Sequence, residues 1–179
     1  GEPIYNEANT RVGTVHDVIV DRDGKMMSVV VADGGPMSAG DKKAAFDADL
    51  MRIDTATNQY RMMITEQDIN DANSFSYDPT KASPSVDTLP PEGISVKKLT
   101  NTKLIDHNSE VMANIENISF DANKNIDQLI VAYNQILGMG GEEAALDFSK
   151  LRLVEDRKGI RFQMTSNQTA EFQAFNTEK

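Results

Sequence analysis

Hydrophobic residues in this chain gather in short runs separated by turn residues, the patterning of closely spaced strands rather than of long amphipathic helices. Pro3–Tyr5 reads as a first short strand and Val12–Asp21 as a second. Arg22-Asp23-Gly24-Lys25 between that strand and the next reads as a tight hairpin turn, in which Gly24 supplies the positive φ that such a turn requires. Met26–Ala32 returns as a third strand, and its centre, Val29-Val30-Val31, is apolar at successive positions, so cover is expected on both faces. Lys43–Phe46 and Gln59–Ile64 complete the sheet. Thr65-Glu66-Gln67-Asp68 then places a hydroxyl at a helix N-cap with carboxylates in the first turn, and Ile69 and Ala72 lay that short helix back on the strands.

One hundred residues later the pattern recurs. Set against 101–175 without a gap, residues 1–75 share eleven identities: Asp21, Val31, Ala32, Gly40, Ala44, Ala45, Asp47, Arg52, Arg61, Thr65 and Phe75 with their partners. The apolar register carries further, through Ile4/Leu104, Val15/Ile115, Val18/Ile118, Val29/Leu129, Met51/Leu151 and Ile64/Met164. Two copies of one unit is the economical reading. Thr165-Ser166-Asn167-Gln168 is a weaker helix start, with Phe172 and Phe175 as the packing residues.

Between the copies four of the six prolines fall in a segment poor in large apolar residues, from Pro79 through Pro84 to Pro90-Pro91. It reads as an extended, semi-rigid linker. The expected organisation is therefore a first domain over 1–78, a linker over 79–98 and a second domain over 99–179, mainly β. Each domain is a small barrel that removes its own strand edges and is followed by a short helix. Gly13, Gly24, Gly34, Gly35, Gly40, Gly138, Gly140 and Gly141 are assigned as structural turn glycines.

Charge narrows the partners. The formal net charge is −10, and both halves are acidic. Such a surface repels phosphate backbones and anionic membranes, and Lys42-Lys43 and Lys97-Lys98 are isolated basic pairs, so nucleic acid is not expected as a partner. The chain has no cysteine, which excludes disulfides, thiolate metal sites and a cysteine nucleophile. No apolar run approaches a membrane span, so no direct insertion is expected from this segment. Because the chain begins at Gly1, an upstream tag, signal or anchor is expected to have been removed.

The order Gly13-Thr14-Val15-His16-Asp17-Val18, Asp21 with Gly24-Lys25, Val29-Val30-Val31-Ala32-Asp33-Gly34-Gly35, then Gly40-Asp41-Lys42 with Ala44-Ala45-Phe46, resembles the PRC-barrel family. Its members include the reaction-centre H subunit and a ribosome maturation factor. The first copy matches over about residues 3–77. The second, over about 103–175, departs at Ala113, Lys124 and Asn134-Gln135, where the first has Gly13, Gly24 and Gly34-Gly35. The resemblance implies two PRC-type six-stranded β-barrels in tandem, used as an adaptor that docks on other proteins. The family has no shared catalytic residues, so none is carried over. Stand-alone bacterial members often follow a signal peptide, which points to the periplasm or cell envelope, with the cytoplasm as the alternative.

Individual candidates for chemistry have plainer readings. His16 sits in a strand with Asp17 expected on the opposite face, so the two do not pair within it. His107 falls in a solvated turn. Asp21-Arg22-Asp23-Gly24 lacks the ligand alternation of a calcium loop, and a hairpin explains it. Asp41/Asp47/Asp49 and Glu142/Glu143/Asp147 read as solvated acidic faces, and Met26 and Met62 as core filling rather than soft-metal ligands. No Gly-x-Ser-x-Gly elbow is present. No catalytic, cofactor-binding or metal-ligating residue is assigned, and no cofactor is expected. The leading expectation is a non-enzymatic bacterial protein-interaction module with another protein as partner, homo-oligomerisation being compatible. The alternative is an acidic ion-binding or stress-related envelope protein.

Overall fold

A computed structural model describes residues 1–33, 42–54, 57, 59–133, 142–157 and 159–177. The chain divides into two compact units: Gly1–Val96 together with Ala122–Asn125, and Lys97–Asp121 together with Ile126–Lys179.

The first unit contains β1 (Pro3–Tyr5), β2 (Arg11–Val20), β3 (Met26–Asp33), β4 (Lys43–Asp47), β5 (Met51–Asp54) and β6 (Gln59–Met62), then helix α1 (Glu66–Asp71). These strands pair in the order β4-β3-β2-β1-β6-β5, with β1 parallel to β6 and every other neighbour antiparallel. The two end strands, β4 and β5, are joined by a single 3-10 turn, Ala48–Leu50, capped by the Asp47 carboxylate. A sheet whose outer strands meet through one turn must curl on itself, and the inward side chains Ile4, Val29, Val31, Met51, Met62 and Ile69 are fully buried in its core. β5 was not among the expected strands. Met51 and Ile53 alternate with exposed Arg52, but the run is only four residues long.

The tight turn after β2 is built as the residues dictate. Asp21 Oδ1 accepts from the amides of Asp23 and Lys25, each at 2.9 Å, and Gly24 takes φ +80°. One hundred residues later Lys124 occupies the matching position at φ +67°, a conformation that costs an L-residue roughly 1–2 kcal/mol. The backbone form survives the loss of the glycine.

Residues 79–98 are not a linker. After α1 come β7 (Ser74–Ser76), a 3-10 turn at Pro79–Lys81, β8 (Val86–Thr88) and β9 (Ile94–Ser95). β7 pairs with β8 in parallel, and β9 adds antiparallel to β2 through Ile19↔Ser95 and Val20↔Ile94. The proline count misleads because Pro79 only opens a turn, with Asp78 as its cap. Phe75 packs against Ile19 and Val30 on the outer face of the sheet, and Met27, Ala45 and Leu89 surround that cluster. This strap is why Val30, like Val29 and Val31, is completely buried.

The second unit opens with the short helix α2 (Val96–Leu99), whose first residue belongs to the first unit. It continues with β10 (Lys103–Ile105), β11 (Val111–Phe120), β12 (Ile126–Tyr133), β13 (Glu142–Asp147), β14 (Arg152–Asp156), β15 (Gly159–Gln163) and helix α3 (Ser166–Thr177). The order β13-β12-β11-β10-β15-β14 repeats that of the first sheet. The register repeats too: Ile4↔Gly13 becomes Leu104↔Ala113, and Val15↔Val31 becomes Ile115↔Val131, with register shifts at the same places. Both closing helices start with reciprocal capping, Thr65 with Asp68 and Thr165 with Gln168. The architecture is mainly β, as expected, with two separate barrel-like sheets and short helices.

Candidate functional site

Buried polar side chains converge at one place in the first unit, and an open groove lies in the second. In the first unit, β2 carries a bulge: Val15 faces Val31 and Asp17 faces Val30, leaving His16 as the extra residue. The expected alternation of His16 and Asp17 across a regular strand is therefore broken. Asp17 is only 3% exposed. Its Oδ1 accepts from the Val18 amide at 2.8 Å, which closes the bulge. Its Oδ2 accepts from the Tyr77 hydroxyl at 2.8 Å and from Ser95 Oγ at 2.5 Å. Tyr77 also stacks edge-on against Phe75 at 5.1 Å and lies 6.5 Å from the His16 ring. Burial raises the Tyr77 phenol well above its usual value, and the Asp17 carboxylate raises it further through their hydrogen bond and its charge. A buried carboxylate receiving three donors is an anchor. It joins both ends of the strap, Tyr77 after β7 and Ser95 in β9, to one point on β2.

The second place is a groove of ≈ 590 Å³ in the second unit, between β13 and the start of α3. Leu146, Leu151, Met164 and Phe172 supply its apolar floor, and Glu143 and Glu171 stand in its walls with Asp147 and Lys150, which pair with each other at 3.6 Å. Phe172 is held by an edge-on contact with Tyr133 at 5.2 Å between ring centres. β13 ends the hydrogen-bonded order of its sheet. In the first unit β7 packs against the corresponding strand, β4.

Residues 1–69 match the family model of the PRC-barrel domain. The first unit carries a PRC-barrel domain. No curated protein matches the chain.

Within this PRC-barrel domain the assigned glycines separate. Gly24 occupies the hairpin with positive φ. Gly13 does not sit in a turn: it lies inside β2, paired with Ile4 and Asp33. A Cβ there would come within 2.8 Å of both the Ala32 carbonyl oxygen and Val31 Cγ1, so close packing, not turn geometry, demands the glycine. Gly34, Gly35, Gly40, Gly138, Gly140 and Gly141 lie outside the described residues, as does Asp41. Asp47 and Asp147 cap the 3-10 turns after their strands, and the Asp147 carboxyl is held below its usual range chiefly by the Ser149 hydroxyl. Among the described residues no three histidine or acidic side chains converge. Met26 and Met62 are buried in the core. His107 is exposed in the turn before β11. No helix among the described residues is long and apolar enough to cross a membrane.

Asp17, Tyr77 and Ser95 did not emerge from sequence reasoning. A signal was present, however. Asn117 stands at the matching position and its Oδ1 likewise accepts from the next amide, Ile118, at 2.8 Å. An Asx residue followed by a β-branched one, at the same register in both copies, marks the bulge.

Proposed function

We propose that the chain is a non-enzymatic docking module, and that its partner is an extended protein segment laid along β13. The observation that supports this reading is the groove itself: an apolar floor beside the outermost strand of a sheet, the setting in which a peptide adds as a further strand. Glu143 and Glu171 flank the floor, and the chain as a whole carries a net charge of −10. The segment it takes therefore carries an apolar anchor between basic side chains. Asp17, 3% exposed, fixes the strap through its bonds to Tyr77 and Ser95. Bacterial origin and a periplasmic or envelope location remain part of this proposal, on the strength of the family resemblance.

The test is a titration of ¹⁵N-labelled full chain with two seven-residue peptides, one alternating lysine with valine and one alternating glutamate with valine. The basic peptide is expected to shift the amides of Ala144, Ala145, Leu146 and Phe172 saturably. The acidic one is expected to leave them in place. Reversing both walls, Glu143→Lys with Glu171→Lys, is expected to weaken binding about tenfold, equivalent to ~1.4 kcal/mol. Equal binding of the two peptides, or no saturable shift along β13, overturns the reading.

A further inference from the structure

A second cavity in the second unit, ≈ 600 Å³, has the opposite character. Lys98, Lys103 and Arg161 line it together with Thr102, Val111 and Ile160, and among the described residues no carboxylate lines it. In a chain with 28 acidic residues against 18 basic ones, three cations on one concave surface are a local reversal of sign. Arg161 is 8% exposed, so its guanidinium is set into the wall rather than waving in solvent. Val111, by contrast, is 60% exposed, an apolar residue left at the mouth.

The residues one hundred positions earlier differ around this space. In the first unit Arg61 stands at the matching position and donates to the Asn6 carbonyl at 3.3 Å, to Asn9 Oδ1 at 3.1 Å and to Gln59 Oε1 at 3.3 Å. One hundred positions after Asn9 and Gln59 come Ser109 and Gly159. A hydroxymethyl group and a bare glycine thus stand where the first unit has two amide side chains, Val111 stands where it has Arg11, and Lys103 where it has Pro3. An arginine stands at this position in both units, with smaller side chains lining the space beside it in the second and a cation and an apolar side chain at its rim. Lys103 lines the cavity from β10, and its Nζ donates to Asn114 Oδ1 on the neighbouring strand β11.

We infer that this cavity binds a small organic anion, an oxyanion head carried on a short alkyl stem. Arg161 and Lys103 receive the head, a planar fork and a point charge being suited to carboxylate or phosphate alike. Val111 and Ile160 cover the stem. The inference does not rest on the docking groove, whose lining shares no residue with this cavity.

Titrating ¹⁵N-labelled full chain at low salt with hexanoate and with hexyl phosphate is expected to move the amides of Thr102, Lys103, Val111 and Ile160 saturably with at least one of them. The comparison between the two identifies the preferred head. Hexylamine is expected to leave these amides unmoved, and inorganic phosphate to bind at least fivefold more weakly than hexyl phosphate. Lys103→Glu and Val111→Glu change exposed residues, so both variants retain the fold, verifiable from the rest of the spectrum. Each is expected to weaken the stemmed anion at least tenfold. The inference is overturned by no saturable shift with either stemmed anion, by equal binding of hexylamine, by inorganic phosphate binding as tightly as hexyl phosphate, or by unchanged affinity in both variants.

Discussion

Replacing Asp17 separates a strap that is anchored from one that merely lies against the sheet. Asp17→Ala removes the acceptor used by the Val18 amide, the Tyr77 hydroxyl and Ser95 Oγ at once. Tyr77 is 38% exposed, so its hydroxyl turns to water at little cost, whereas Ser95 is 7% exposed and the bulge amide is internal. Two buried hydrogen bonds to an ionised group are worth about 1.5–3 kcal/mol each. Relief of the buried carboxylate's own desolvation offsets part of that. The net expected loss is about 3 kcal/mol in the free energy that holds the strap down. Asp17→Asn keeps the Oδ1 bond to Val18 and presents an amide that can donate to both hydroxyls, so it trades charged bonds for neutral ones and costs about 1 kcal/mol. Native-state hydrogen exchange on the full chain reads the difference directly. The amides of Ser74 and Leu89, bonded to the carbonyls of Ser85 and Ser76 within the strap, are the reporters. They are expected to exchange about a hundredfold faster in the Ala variant and about fivefold faster in the Asn variant, with Val29 and Val31 in β3 little changed. Equal behaviour of the two variants, or unaltered exchange at Ser74 and Leu89, refutes the anchor.

Other parts of the first unit are open to equally direct tests. Tyr77→Phe bears on pH: the native state holds the phenol proton more tightly than the unfolded chain, so wild-type stability is complete below pH ~10 and falls as pH rises past it. The Phe variant is expected to show a shallower alkaline loss in denaturant midpoints, not an abolished one, because burial also raises Tyr60 and Tyr133. Gly13→Ala is expected to destabilise the first unit by about 2 kcal/mol in urea unfolding, because the Ala32 carbonyl cannot move out of reach of the new methyl without disturbing the β2–β3 ladder; a neutral result refutes the close approach. Phe75→Ala empties the outer cluster around Ile19 and Val30 and is expected to cost about 3 kcal/mol, read as faster exchange in β7 and β8 ahead of β3.

Much of the sheet was legible because its determinants are local. Val29-Val30-Val31 announces a strand covered on both faces, Asp21 and Gly24 announce the hairpin, and the hundred-residue correspondence carries the strand order from one copy to the other. The strap was not legible in that way. Its holding residues, Phe75, Tyr77, Leu89 and Ser95, are spread through turn-forming sequence, and their partners Asp17, Ile19 and Val30 lie far earlier in the chain. A pattern sought within a window sees only prolines and serines there. Yet the copies differ where it matters. The outward positions Ile19 and Met27 of the first sheet are Ser119 and Asp127 in the second, and both of those are exposed. Two sheets with one strand order but different outer faces require different covers, and the apolar one belongs to the copy followed by Phe75 and Leu89. The same comparison exposes the cationic cavity, where Gly159 and Ser109 stand in place of Gln59 and Asn9 beside an arginine present in both units. Identity between the copies thus marks what the barrel needs to close, such as Val31, Ala44 and Asp47. Substitution at matched outward positions marks where the two outer faces differ, as Ile19 and Met27 do from Ser119 and Asp127.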